Sequence, residues 1–388
     1  MRQCPLCKFK KNQILHKQSF ISVNKFFYYN VAVCSRCGFV YASFPSSQKK
    51  LDYFYKKNLK YLYYGNKDNV PLRTVQFHNY FFRFVDNFLK KNRTNFNKKN
   101  FSILDIGTGN GHQLFLFKKK GYQDLLGLDP SYECTLFAQK NYHIKVIPST
   151  IAEYKTSKKF DLITLVAVLE HIDDLLSALK KISLFLKKDG LVAIAVPDTK
   201  YFGRILKEPF MEFSLEHINY FTRQSLINLF GRYRFENIIY NSKKIDSFGS
   251  VALNSIWRMS KSKTKIKFDK SGKIAISKYV RKSFRKLDQV KKTINRLIDS
   301  RQEIIIWGAG SLTARLFATT NLMKAKIKAI IDSNPSLYGK KINGIKILPP
   351  KIIKNNKTTI FISTYFFQRE IKNILKNEYN YQGKIITL

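Results

Sequence analysis

Three glycines spaced two apart behind an acidic residue, Asp105-Ile-Gly-Thr-Gly-Asn-Gly111, constrain this chain more than any other stretch. The apolar strand Ser102–Leu104 delivers Asp105 to a turn in which Gly107, Gly109 and Gly111 take positive φ, a region that glycine alone enters cheaply. Without Cβ atoms the turn also admits a bulky ligand against its backbone. The helix expected over His112–Lys120 aims its first amides and partial positive charge at the same place, a seat for a carboxylate. A dinucleotide turn would read Gly-x-Gly-x-x-Gly with no acidic residue needed just ahead of it.

A second strand, Leu125–Leu128, ends in Asp129, whose carboxylate can take hydrogen bonds from both hydroxyls of a ribose. Carboxylate seat and ribose acceptor together predict S-adenosylmethionine, and therefore methyl transfer. Asp105, Gly107, Gly109, Gly111 and Asp129 are the expected cofactor residues, with Ile151 in the Thr150–Glu153 turn and Val168 at the end of the apolar run Phe160–Val168. The alternation continues with a strand at His143–Ile147, an amphipathic helix across Asp174–Leu186, a Lys187–Gly190 turn and a buried strand Leu191–Val196. This predicts an α/β, Rossmann-like fold with a doubly wound parallel sheet. Glu170 and His171 follow the fourth strand, at the carboxyl edge where such folds bind ligands.

Cys4-Pro-Leu-Cys7 and Cys34-Ser-Arg-Cys37 are two Cys-x-x-Cys knuckles, able to aim four thiolates at one ion. A site closed by four sulfurs leaves no position for substrate, so the expected metal is structural zinc. No signal peptide is read ahead of these cysteines, which predicts a cytoplasmic chain without disulfides. Cys134 is expected in the core, and His16, between the knuckles, on the surface.

The 388 residues suit two or three domains: a zinc-binding module and linker at 1–65, a methyltransferase domain at 66–245 and a further lobe at 246–388. No apolar run approaches a membrane span, so no membrane partner is expected. The formal charge of +44 points towards nucleic acid, an anionic surface or a phosphorylated substrate. The lysines are spread along the chain and accompany Asn, Ile, Phe and Tyr, the set an AT-rich coding sequence produces, so they read as solvated surface. In the last lobe, Lys261–Lys270 reads as a loop and Tyr279–Asp299 as an amphipathic helix. Glu303-Ile-Ile-Ile-Trp-Gly-Ala-Gly310 then repeats the strand-to-glycine-turn plan, with Asp332 ending the next strand. It has two glycines in place of three, so a structural lobe and a ligand-holding lobe both stay open.

This order of parts resembles the sugar C-methyltransferases of nucleotide-deoxysugar biosynthesis. The resemblance covers nearly the whole chain. It implies a nucleotide-linked 4-keto sugar as substrate, a C-terminal lobe that helps hold it through Gly308 and Gly310, and a catalytic Glu-His pair. The matching stretch is Ser214-Leu-Glu-His-Ile-Asn-Tyr-Phe221. Glu216 and His217 correspond, with Tyr220 beside them and Ser214 where the family carries a tyrosine. The family mechanism makes His217 the base that yields an enolate, which attacks the methyl group; His171 lies on the substrate side. O-methylation of a sugar is the nearest alternative and an RNA acceptor a more distant one; the sequence does not set the oligomeric state.

Overall fold

The computed structural model describes residues 2–22, 25–43, 72–92, 97–204, 206, 208–244 and 251–388. The linker expected up to residue 65 lies outside the described residues beyond position 43. Contacts group the chain into two units: Met1–Leu15, Val31–Ile205 and Leu215–Ile276 in one, and His16–Asn30, Leu206–Ser214 and Ser277–Leu388 in the other.

The chain begins with β1 (Asn12–Ser22) and β2 (Lys25–Cys34), whose residues divide between the two units, and β3 (Val40–Ala42), which belongs to the first. A helix, α1 (Leu72–Asn92), follows. It stands at the start of the expected methyltransferase domain, and the reason it forms is visible in its buried stripe: Phe81, Phe82, Val85 and Leu89 recur at helical spacing. Next come β4 (Ile103–Ile106), α2 (His112–Lys119), β5 (Leu125–Asp129), α3 (Tyr132–Tyr142), β6 (Val146–Pro148) and β7 (Phe160–Val166). Then follow α4 (Leu175–Phe185), β8 (Leu186–Pro197), β9 (Asn219–Tyr220), α5 (Arg223–Gly231), β10 (Phe235–Lys244) and β11 (Val251–Met259).

Seven strands form the central sheet in the order β10-β11-β8-β7-β4-β5-β6. From β8 to β6 every pairing is parallel, the doubly wound plan. β11 runs antiparallel to both β8 and β10, so the sheet is mixed rather than purely parallel. β11 also moves the boundary: the strand begins at Val251 and belongs to this unit, beyond the expected division at 245/246. Along the strands, side chains alternate between two cores. Leu104, Ile163, Val192 and Ile194 fill one, while Ile103, Leu162, Ala193 and Ala195 fill the other, as the two-residue period of a strand requires. The Lys187–Gly190 turn appears as a break in the ladder, whose register passes from Phe160↔Leu186 to Leu162↔Leu191.

A smaller sheet runs β1-β2-β3-β9. Its last pairing, Val40↔Tyr220 and Tyr41↔Asn219, attaches the cysteine module to the chain just after His217.

The second unit takes most of α6 (Lys270–Asp299), then β12 (Glu303–Trp307), α7 (Ser311–Thr319), β13 (Lys326–Ile331), β14 (Lys341–Ile342), β15 (Ile345–Leu348), β16 (Thr359–Ile362), α8 (Gln368–Asn377) and β17 (Ile385–Thr387). Its sheet has the order β14-β15-β13-β12-β16-β17 and is parallel apart from the β14–β15 pair. Within this unit Arg315 is buried and bonds Glu208 at 3.2 Å and the carbonyls of Pro209 at 2.8 Å and Phe213 at 3.1 Å, fastening segment 208–214 to α7. His16 is buried too, against the surface position its sequence setting predicts. It stacks on Phe210 at 4.4 Å between ring centroids, with Phe213 and Phe284 close by, and burial lowers its pKa to about 4. An imidazole held neutral among aromatic rings behaves as an apolar filler. Cys134 is buried, as expected. Among the described residues no helix is long and apolar enough to cross a membrane.

Candidate active site

The glycine turn has the backbone its spacing predicts: φ is +69° at Gly107, +53° at Gly109 and +79° at Gly111. Each glycine has a different neighbourhood. A Cβ on Gly107 would come within 2.5 Å of Val168 Cγ2, whereas one on Gly109 would meet nothing within 4 Å. Gly107 is thus a packing position and Gly109 an open tip where a ligand can lie against bare backbone. Val168 reaches Gly107 because Ala167 before it has φ +55°, a left-handed conformation rare for a residue with a side chain and concentrated at functional sites. Nothing in the sequence signals that kink.

Asp129 accepts the Gly109 amide on Oδ2 at 2.8 Å and the Ser131 amide on Oδ1 at 2.9 Å, so it shapes the turn and still keeps lone pairs for ribose hydroxyls. Asp105 is buried at the end of β4 and accepts the Thr164 hydroxyl at 2.6 Å. Burial raises both carboxylates to about 6, against the opposing pull of these hydrogen bonds. Ile151 is buried in the core face that also holds Leu104 and Leu128. His112, the first residue of α2, stacks on His78 of α1 with their Nδ1 atoms 3.3 Å apart, and burial lowers the pKa of both. That pairing links two helices and has no sequence signature.

After β7 the chain makes a short 3-10 turn, Leu169–His171, which carries Glu170 and His171. Forty-odd residues later the Glu216–Tyr220 segment returns to it. Asn219, buried, donates from Nδ2 to the carbonyls of Leu169 at 3.0 Å and Ile172 at 2.7 Å, and the Ile218 amide donates to the Glu170 carbonyl at 2.9 Å. Arg2 grips both strands of chain, reaching the Ile218 carbonyl at 3.2 Å and the Asp173 carboxylate at 2.6 Å. The result brings His171 and His217 together, ring centroids 5.0 Å apart and near edge-on. His171 Nδ1 lies 2.9 Å from the Glu216 carbonyl, while the Tyr220 hydroxyl donates to the carbonyl of His217 at 3.1 Å. The buried Tyr220 therefore braces the backbone of His217. Asn219 and Arg2 are the positioning residues that sequence reasoning passes over.

The four cysteines are buried and none is in a disulfide. Cys4 and Cys37 Sγ are 3.6 Å apart, Cys7 and Cys34 Sγ 3.5 Å, and all four sulfurs lie within 4.8 Å of one another. Each knuckle is a tight turn, closed by Lys8 N–H to the Cys4 carbonyl at 2.8 Å and Gly38 N–H to the Cys34 carbonyl at 3.0 Å.

In the second unit Gly308 has φ +118° and Gly310 an extended φ of −86°, so only the first needs to be glycine for its backbone. Asp332 accepts the Ala309 amide at 2.7 Å, the same relation as Asp129 to Gly109. Ser214 falls in this unit, whereas Glu216 and His217 fall in the first.

In sequence, residues 76–239 match the family model described as a methyltransferase domain, and residues 300–386 one described as C2185-like, N-terminal. No curated protein matches the chain. Among solved structures it is similar to the 1,6-didemethyltoxoflavin-N1-methyltransferase of Burkholderia thailandensis, at 16% identity over 59% of this chain and 97% of that one, with a TM-score of 0.43. It is similar also to the magnesium protoporphyrin IX methyltransferase of Synechocystis, at 15% identity, 55% and 100% coverage and a TM-score of 0.42. A third is an S-adenosylmethionine dependent methyltransferase from Mesorhizobium loti, at 14% identity, 42% and 93% coverage and a TM-score of 0.36. The family match spans the glycine turn, both raised carboxylates and the histidine cluster, and residues 76–239 are the S-adenosylmethionine-dependent methyltransferase domain of this enzyme.

Proposed function

We propose that this methyltransferase acts on a nucleotide-linked sugar, methylating a carbon beside a keto group with His217 as the base. The observation that supports the reading is the meeting of His217 and His171 just past Val168, which itself packs on the glycine turn. Bound S-adenosylmethionine supplies an electrophilic methyl group. Asp129 would hold the ribose hydroxyls and Asp105, with Gly107, Gly109 and Gly111, the amino-acid end. His217 takes the proton from the carbon next to the ketone, a task suited to a group whose ordinary pKa lies near neutrality. The Glu216 carbonyl holds the His171 ring and Tyr220 braces the backbone of His217, and the Glu216 side chain would contact the sugar. One observation favours a second reading: a second histidine, His171, adjoins the first, and a histidine serves equally to deprotonate a sugar hydroxyl, giving O-methylation.

The cysteine module is proposed to hold one structural zinc ion. Tetrahedral Zn–S bonds of about 2.3 Å place sulfurs roughly 3.8 Å apart, and the two closest sulfur pairs are at 3.6 and 3.5 Å. The donor set fits. Its consequence for the site is the β3–β9 pairing that anchors residues 219–220.

Mass spectrometry of the protein incubated with S-adenosylmethionine and a panel of nucleotide-linked 4-keto sugars and their reduced counterparts tests the acceptor. Methyl gain on the keto sugars alone, lost in His217→Ala, is the expected result. Transfer to the reduced sugars moves the assignment to O-methylation, and transfer to neither points to another acceptor, RNA first.

A further inference from the structure

Glu170 is 1% exposed, and neither of its carboxylate oxygens has a hydrogen-bond partner. A buried carboxylate left in that condition is destabilising by several kcal/mol unless something positive meets it. Among the described residues no lysine or arginine pairs with it. The groups that do approach are two imidazoles: one ligand-type atom each of Glu170, His171 and His217 lie within 4.8 Å of one another.

We propose that Glu170, His171 and His217 form a binding site for a divalent first-row cation, separate from the four cysteines. An ion centred in a triangle with such sides is at most about 2.8 Å from each corner, so coordination at roughly 2.1 Å asks each ligand to move in by no more than about 0.7 Å. Rotation of the half-buried histidines supplies that. The tautomer is already arranged: His171 Nδ1 faces the Glu216 carbonyl at 2.9 Å and must donate to it, which leaves the Nε2 lone pair for an ion. A ring nitrogen tied to a backbone carbonyl is the usual outer partner of a metal-bound histidine. Two imidazoles and one carboxylate suit Mn²⁺, Fe²⁺, Co²⁺ or Zn²⁺, and three protein ligands leave positions open for oxygens of a substrate. This deepens the proposed sugar reading, because the keto or hydroxyl oxygen beside the methyl acceptor is a ligand of that kind. The ion would polarise that oxygen and so acidify the C–H or O–H beside it; with His217 held as a ligand, that proton would pass to solvent water, so the sugar reading stands while the base role proposed for His217 would pass to water.

The test is metal binding to the full chain, read without activity. Protein already carrying zinc is titrated with Mn²⁺ and followed by electron paramagnetic resonance, then with Co²⁺ and followed by absorption. The expected result is one further ion per chain, with cobalt bands free of the thiolate charge transfer that cysteine ligation would give. Binding should weaken at least tenfold in Glu170→Gln and in His217→Ala, each checked for folding by circular dichroism. Glu170 is buried and its variant is the one at risk; His217 is half-exposed and keeps the test decisive. No ion beyond the cysteine-bound one, or affinity unchanged in the folded variants, overturns the proposal. Methyl transfer to a sugar by protein that binds no second ion leaves the proposed function standing and removes the metal; a second ion without sugar methylation does the reverse.

Discussion

Asp105 and Thr164 sit opposite each other on adjacent parallel strands, β4 and β7, and the threonine hydroxyl donates to the buried carboxylate at 2.6 Å. The bond holds the acidic residue ahead of the glycine turn in one orientation. Thr164→Val keeps the shape and removes the donor, so it should destabilise the protein by about 1–3 kcal/mol and weaken S-adenosylhomocysteine binding roughly tenfold. Urea unfolding and calorimetric titration measure the two effects; unchanged affinity would mean that Asp105 does not need this donor to receive ligand.

Asp105 and Asp129 both have pKa values raised by burial to about 6. In each, the folded value exceeds the unfolded one, so the contribution to stability is fully present below pH 4 or so and is lost as pH rises through about 6. Ligand binding has the opposite sign, because ribose hydroxyls and an ammonium group favour the ionised carboxylates. Between about pH 7.5 and about pH 5.5 the affinity for S-adenosylhomocysteine should fall roughly fourfold for one such carboxylate and more than tenfold for both. A flat profile over that window would remove these two groups from the binding step.

The glycines should not be equivalent. Gly109→Ala meets open space and incurs only the strain of φ +53°, about 1 kcal/mol. Gly107→Ala adds a 2.5 Å clash with Val168 to similar strain, for a further loss of about 1–3 kcal/mol. Thermal unfolding should rank Gly107→Ala as the less stable. Ligand titration should then find Gly109→Ala impaired in binding, since its Cβ enters the ligand's approach.

Cys34→Ser should lose the zinc equivalent, measured by elemental analysis. Because β3 follows this knuckle and pairs with β9, hydrogen exchange should accelerate at the Tyr220 amide and at the Ala42 amide, which donates to the Ile218 carbonyl. Zinc loss with undiminished protection there would show that the module is only an appendage.

The glycine turn, the two carboxylates at strand ends and the paired cysteines were legible in sequence because each is governed locally. Positive φ selects glycine, and the gathering of four cysteines is announced by the spacing of their knuckles. The histidine cluster was legible only in halves: Glu170 with His171, and Glu216 with His217, were visible as motifs at separate places. Their meeting depends on Asn219 and Arg2, polar residues whose partners, backbone carbonyls and the Asp173 carboxylate, lie far along the chain and leave no pattern. His16 was misplaced for a related reason, since its burial comes from Phe210, Phe213 and Phe284, all remote in sequence.

By itself, then, the sequence determined an α/β plan, a glycine turn flanked by carboxylates at strand ends and a gathered set of four cysteines, all set by sterics and spacing within a few residues. Tertiary structure decided the rest: β11 entering the sheet against the parallel direction, the kink at Ala167 that sets Val168 on Gly107, and the juxtaposition of Glu170, His171 and His217. Those features arise from contacts between distant segments, whose free energy belongs to the packed fold and to no one stretch of chain.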